Sequence, residues 1–93
     1  MIYKVKFSTR FKKSFKRFKS DKNFKKEEFD KVINKLLNKE KLEDKYRNHT
    51  LSGEYIGMNE CHIQNDVLLI YFYEDEELIL YAIDIGSHSE LFK

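Results

Sequence analysis

Three histidines are the residues of this sequence best suited to proton transfer, and all of them lie in its C-terminal half. They are His49, His62 and His88. Because imidazole titrates near neutral pH, two histidines on either side of a phosphate could act as general base and general acid in cleavage of an RNA backbone. The alternative is three surface histidines with no joint role, since three are an ordinary number for a chain of 93 residues.

The sequence argues against metal-dependent chemistry. The single cysteine, Cys61, directly precedes His62, and neighbouring residues of a strand point to opposite faces, so a zinc site that uses both is disfavoured. The same alternation places Glu60 and Gln64 on the face of His62. No CxxC, HExxH, glycine-rich phosphate loop or GxSxG motif occurs. We therefore expect metal-independent acid-base chemistry without a cofactor, and a core position for Cys61.

Charge is distributed unevenly along the chain. Residues 1–47 contain 17 basic and 7 acidic residues, whereas residues 48–93 contain 1 basic and 9 acidic residues. A surface built from the first half should attract a polyanion with salt-sensitive affinity, and its alternative is a solvated helix face that keeps the protein soluble. The candidate RNA-binding cations on this surface are Lys12, Lys13, Lys16 and Arg17.

The apolar pattern predicts a single α+β domain over residues 1–93. Alternation over residues 2–7 predicts a strand, Phe11, Phe15 and Phe18 recur with helical spacing, and a second helix follows around residues 29–37. After a polar connector at 40–52, three strands are predicted at 54–63, 67–73 and 78–85. The predicted order is β-α-α-β-β-β, an antiparallel sheet packed against a two-helix hairpin.

The cellular compartment is predicted from what the sequence lacks. One cysteine cannot form an internal disulfide, which is typical of proteins in a reducing cytoplasm. The N-terminus has no apolar signal core, and no stretch approaches the roughly 18 to 20 apolar residues of a membrane span. We expect a cytoplasmic protein with no membrane partner.

Four ordered blocks in the second half of the chain carry a family resemblance: NHTLSGEY at 48–55, ECHI at 60–63, the Asp66 turn with LLIY at 68–71, and IGSHSELF at 85–92. With them the chain resembles the YafQ branch of the RelE/ParE superfamily, bacterial toxins of type II toxin-antitoxin systems, over nearly its whole length. The resemblance implies a RelE-like fold and an endoribonuclease that enters the ribosomal A site, cuts mRNA there and is blocked by a cognate antitoxin. It implies contact with operator DNA only through the antitoxin complex.

The resemblance also implies roles for individual residues. The active-site positions of this branch fall on His49, His62, Asp66, His88 and Phe92. Metal-free cleavage by the 2′-hydroxyl needs a base, an acid and a cation at the phosphate. We expect His88 to be the acid, His49 or Asp66 the base, and His62 a phosphate ligand or an orienting group. Phe92 could stack on a base or fold back onto the core.

One position departs from the family pattern. Many members carry a basic residue two positions before the glycine of the last block, where this chain has Asp84. Either Asp84 points away and Arg47 or Lys45 supplies the positive charge, or cleavage is slow, or the protein inhibits translation mainly by occupying its site. The alternatives to an endoribonuclease are a non-enzymatic ParE-like gyrase inhibitor and an RNA- or ribosome-binding module.

Overall fold

The computed structural model describes residues 2–92 and contains a five-stranded sheet with two main helices, as the predicted α+β class requires. The predicted domain of residues 1–93 includes Met1 and Lys93, which lie outside the described residues. The strands are β1 (Lys4–Phe7), β2 (His49–Thr50), β3 (Asn59–Gln64), β4 (Val67–Glu74) and β5 (Ile79–Gly86), and the helices are α1 (Thr9–Lys19), α2 (Lys26–Leu37) and α3 (His88–Leu91).

The sheet is mixed, with the strand order β1-β5-β4-β3-β2. Strands β2 to β5 form the predicted antiparallel arrangement, whereas β1 pairs with β5 in parallel. A parallel neighbour is possible because a long connection that contains both main helices separates β1 from the remaining strands. The prediction of an antiparallel sheet is therefore wrong for the pairing of β1 with β5.

The helix pair forms through its phenylalanines, as the spacing predicted. The Ser8 side chain caps α1 by accepting a hydrogen bond from the Phe11 amide at 2.9 Å. The buried ring of Phe11 lies 6.0 Å from that of Phe29 in α2, and Phe15 lies 5.0 Å from the same ring. The stripe is thus core rather than a base-stacking surface. Among residues 2–92, no helix combines the length and apolar character needed to cross a membrane.

Glycine conformation explains why β3 begins later than predicted. Gly53 and Gly57 have positive φ angles of 70° and 90°, a region that favours glycine. They bracket a turn of 3-10 helix at Gly53–Tyr55, so the extended strand begins at Asn59 rather than at residue 54. The turn also lets the two-residue strand β2 pair with β3. Strand β2 was not predicted from the periodicity of the sequence.

The two faces of the sheet bury different clusters. The helix-covered face contains the main core, including the fully buried Cys61, and burial raises the pKa of this thiol to about 12. The opposite face has a smaller cluster of Leu68, Ile70 and Leu91, against which Phe92 packs. Since Glu60 pairs with Ile70 and His62 with Leu68, the chemistry-bearing side of β3 belongs to this second face.

Candidate active site

A cleft of about 560 Å³ opens beside the turn that joins β3 to β4. Its lining includes four residues selected from the sequence, namely Arg47, His62, Asp66 and His88. They come from four separate segments, which the topology of the sheet brings to one end of the molecule. The remaining lining residues are Lys25, Glu28, Lys45, Tyr46, Ile63, Gln64, Asn65 and Leu68.

Asp66 connects two walls of this cleft. It occupies the turn after β3 with a positive φ of 57°, a conformation that aspartate adopts more readily than most residues. Its Oδ1 accepts a hydrogen bond from the backbone amide of His88 at 3.2 Å. Asp66 therefore holds the start of α3 against the β3–β4 turn.

His88 is the first residue of the short helix α3. The helix forms because Ser87 and Glu90 make a capping box, with distances of 3.2 Å and 2.8 Å for its two hydrogen bonds. The imidazole is nevertheless exposed, and the ring of Phe92 lies 5.1 Å from it. Phe92 also contacts Tyr55, so it is partly folded onto the molecule beside the cleft.

Glu60 is a buried carboxylate between two of the histidines. The antiparallel register pairs it with His49, and its residue is only 3% exposed. Glu60 Oε1 lies 3.3 Å from His49 Nε2 and 3.8 Å from His62 Nε2. Neither His49 nor Glu60 lines the cleft, but Glu60 links His49 to His62, which does.

The second ring nitrogen of His49 is also held. Its Nδ1 lies 2.8 Å from the carbonyl oxygen of Arg47, and a carbonyl can only accept, so Nδ1 donates this hydrogen bond. In the neutral ring this leaves the Nε2 lone pair directed towards Glu60. Arg47 itself has a left-handed backbone (φ 46°, ψ 45°), which closes the 3-10 turn at Asp44–Tyr46 just before β2.

The other oxygen of Glu60 is unusual. Oε2 is buried and has no hydrogen-bond partner among residues 2–92. An unpaired buried acceptor costs about 1–3 kcal/mol, and such groups are retained at sites of chemistry more often than elsewhere. Glu60 was not selected from the sequence, although its alternation with His62 was a usable signal.

Asp84 is turned away from the cleft. Its buried carboxylate forms an ion pair with Arg10 Nε at 3.0 Å and accepts hydrogen bonds of 2.8 Å from Ser14 Oγ and the Ile85 amide. Asp84 therefore ties β5 to α1, and a β-bulge after Ile70 accompanies the change in register at this point. Of the alternatives raised by this departure, these contacts favour the first, because Arg47 and Lys45 line the cleft.

The basic residues of α1 lie outside the cleft. Lys12 and Lys16 border an apolar groove between α1 and α2, and Lys13 is exposed. Arg17 forms an ion pair with Glu90 at 2.7 Å and so links α1 to α3. The structure thus brings the histidines, Asp66 and Arg47 together but leaves these lysines as a separate surface.

Comparison with known proteins assigns the family. The model of the family described as bacterial toxin of type II toxin-antitoxin system, YafQ, matches residues 3–93. The chain belongs to the YafQ toxin family. A Haemophilus influenzae protein named as a YafQ toxin is 41% identical over 64 residues, a match that spans 64% of this chain and 63% of that protein.

Solved structures of related toxins have the same fold. A metal-bound toxin from Helicobacter pylori is 34% identical, with a TM-score of 0.88 over 99% of this chain and 100% of that one. YafQ in the Escherichia coli DinJ–YafQ complex is 24% identical, with a TM-score of 0.84 over 98% and 99% of the two chains, and it supports the fold alone.

The metal in the Helicobacter pylori toxin prompts a test of the donor groups in this chain. Among residues 2–92, no cluster of three or more histidine, cysteine, aspartate or glutamate side chains is arranged to hold a metal ion. Cys61 is buried on the other face of β3 from His62, as predicted. Metal-independent chemistry remains a prediction that chelation can test.

Proposed function

We propose that this YafQ-family toxin is a ribosome-dependent mRNA endoribonuclease that inhibits translation by metal-independent acid-base cleavage. The observation that supports it best is that His62, His88 and Arg47 line one cleft, while Glu60, 3.8 Å from His62, links His49 to that cleft. A protein that acts only by binding needs no such set of proton-transfer groups.

The proposed reaction needs two proton transfers. The base takes the proton of the ribose 2′-hydroxyl, whose oxygen attacks the phosphorus, and the bond from phosphorus to the 5′-oxygen breaks. The acid protonates that 5′-oxygen, which leaves a 2′,3′-cyclic phosphate and a 5′-hydroxyl end. His88 is the proposed acid because its imidazole is exposed at the cleft.

The proposed base is His49, assisted by Glu60. The Arg47 carbonyl holds the proton on Nδ1, so Nε2 is the atom available to accept a proton, and a carboxylate 3.3 Å away stabilises the imidazolium that forms. Asp66 is assigned a positioning role, since Oδ1 already accepts from the His88 amide. His62 is assigned to hydrogen-bond the phosphate that is cleaved.

Positive charge at the phosphate is assigned to Arg47 and Lys45, both of which line the cleft. An arginine fork can donate two parallel hydrogen bonds to phosphate oxygens, which suits a crowded transition state. Phe92, beside His88, is assigned to stacking on a neighbouring base. The α1 surface is assigned to ribosomal RNA through Lys12, Lys13, Lys16 and Arg17.

The ribosome is proposed as a requirement because the cleft alone has few groups to force flexible mRNA into in-line geometry. A ribosome that already holds mRNA in its A site could supply that orientation. The proposed regulator is a cognate antitoxin, as DinJ is found with YafQ in the Escherichia coli complex. We further propose membership of the RelE/ParE superfamily, action in the cytoplasm, and operator contact only through the antitoxin complex.

The test compares a translating ribosome complex with naked RNA, each with and without EDTA, and includes a control for ribosome integrity. We expect cutting only on the ribosome, insensitive to chelation, with 2′,3′-cyclic phosphate ends. Efficient cutting of naked RNA that chelation abolishes would contradict both the ribosome and the metal claims. Inhibition of gyrase supercoiling without RNA cleavage would favour the ParE-like alternative.

A further inference from the structure

Lys25 is a cleft residue with no role in the proposed chemistry. It lies just before α2, and its side chain shares the cleft with Arg47 and Lys45. The Gln64 side chain fixes this segment to the end of β3, accepting from the Lys25 amide at 2.7 Å and donating to the Asn23 carbonyl at 3.0 Å. Two hydrogen bonds from one side chain therefore hold the backbone of Lys25 at the cleft.

Glu28 contributes a carboxylate to the same cleft, and that carboxylate lies close to Lys45. Its Oε2 accepts from the Tyr46 hydroxyl at 2.7 Å, and its Oε1 lies 3.7 Å from Lys45 Nζ. The Tyr46 hydrogen bond, followed by the charges of Lys45, Lys31 and Lys25, lowers the pKa of Glu28 below its ordinary value. Glu28 is thus a counter-ion of Lys45 within the lining of the cleft.

The balance of charge leaves room for an anion. Three cationic side chains, Lys25, Lys45 and Arg47, line the cleft with two carboxylates, of which Glu28 is the one near Lys45. Asp66, the other acidic lining residue, lies towards His88 and is hydrogen-bonded to its amide. Each backbone phosphate carries one negative charge and several acceptor oxygens, so two neighbouring phosphates suit two ammonium groups and a guanidinium fork.

We infer that Lys25 extends the phosphate site of Arg47 and Lys45, so that Lys25 contacts the backbone phosphate of single-stranded RNA adjacent to the phosphate that is cleaved. A cleft of about 560 Å³ is within the range that holds a ligand of nucleotide size. The identity of the strand as mRNA rests on the proposed function, whereas the phosphate subsite does not require that the strand be cut.

The experiment measures binding of a short, fluorescent 2′-O-methyl RNA by anisotropy over a series of salt concentrations. The methyl group blocks the 2′-hydroxyl nucleophile, so affinity is measured independently of cleavage. The variant is Lys25→Gln, and its matched control is Lys22→Gln, which removes the same charge from an exposed position that does not line the cleft. Thermal unfolding of each variant establishes that the fold is retained.

We expect Lys25→Gln to weaken binding at low salt and to reduce the slope of log K against log salt by about 0.7, the value for one phosphate contact on a single strand. Lys22→Gln should keep the wild-type slope. Equal slopes for Lys25→Gln and wild type, or no measurable binding by wild type at low salt, would overturn the subsite. If the slope falls as expected but wild type does not cut ribosome-bound mRNA, the subsite stands and the endoribonuclease proposal fails.

Discussion

Replacement of Glu60 by glutamine should make the protein more stable and less active at the same time. The substitution keeps the shape of the side chain but removes its negative charge. Glu60 is only 3% exposed as a residue, and its Oε2 has no hydrogen-bond partner among residues 2–92. Desolvation of an unpaired buried polar group costs about 1–3 kcal/mol and more when the group is charged, so glutamine, which keeps a neutral polar atom at the same place, removes only the additional cost of the charge. Its contacts with His49 and His62 offset part of this cost, but His49 has a side chain that is 51% exposed, and exposed ion pairs contribute about 0–1 kcal/mol.

The net result expected for Glu60→Gln is a gain of about 1 kcal/mol in the free energy of unfolding. For a domain of this size, that gain corresponds to a rise of about 4–8 °C in Tm. Calorimetry or thermal unfolding followed by circular dichroism measures it. Glu77→Gln is the matched control, because Glu77 is exposed in the β4–β5 turn and should change stability by less than about 0.5 kcal/mol.

The same variant should lose cleavage activity. Without the carboxylate, the imidazolium that forms at His49 is no longer stabilised, and general acid-base groups typically contribute about 10²- to 10⁴-fold to rate. We expect single-turnover cleavage on the ribosome to fall by about 10²-fold or more. Wild-type cleavage by Glu60→Gln would refute its assistance to the base, and a loss of stability would refute the interpretation that its burial is costly.

Three further predictions concern other parts of the molecule. Reversal of charge at Lys12 and Lys16 should weaken ribosome association most at low salt, reduce the salt dependence of that association and leave cleavage chemistry intact, measured by sedimentation with ribosomes over a series of salt concentrations. Cys61 should resist alkylation at pH 8 in the native state, because the thiolate forms only near its pKa of about 12 and the side chain is buried. Asp84→Ala should lower the free energy of unfolding by about 1–3 kcal/mol, measured by urea denaturation, because it leaves Ser14 and the Ile85 amide without their acceptor.

Each of these has a result that would contradict it. Ribosome binding by the charge-reversed protein that matches wild type at every salt concentration would make the α1 surface a solubility feature only. Rapid labelling of Cys61 in the folded protein would mean that the main core opens easily. Unchanged stability of Asp84→Ala would mean that the contacts of Asp84 with α1 do not stabilise the fold. Asp75→Ala is unsuitable as a control, because Asp75 accepts a hydrogen bond from the Tyr3 hydroxyl although it lies at an exposed turn position.

The parts of the fold that could be predicted are those in which burial follows a period. Phe11 and Phe15 recur at helical spacing and pack on α2, and the alternation of β3 separates Cys61 from His62 as expected. The parallel pairing of β1 with β5 could not be predicted in this way. A strand of alternating lysines and apolar residues has the same pattern whichever direction its neighbour runs.

The candidate site was predictable only in part, because its geometry depends on contacts between distant segments. Strand β2 has two residues, too few for a periodic signal, yet its register is what places His49 beside Glu60. Lys25 reaches the cleft through hydrogen bonds with Gln64, 39 residues away. Family resemblance supplied His88 and Asp66 as candidates, but the hydrogen bond between them is visible only in the folded chain.

The role of His88 as general acid can be tested by changing the leaving group instead of the protein alone. In an mRNA with sulfur in place of the bridging 5′-oxygen at the cut position, the leaving thiolate needs no proton. We expect His88→Ala to cut ordinary ribosome-bound mRNA about 10²- to 10⁴-fold more slowly than wild type, and to cut the sulfur-substituted mRNA at a rate close to wild type. An equal loss on both substrates, with the fold retained, would contradict acid catalysis by His88 and with it the proposed mechanism.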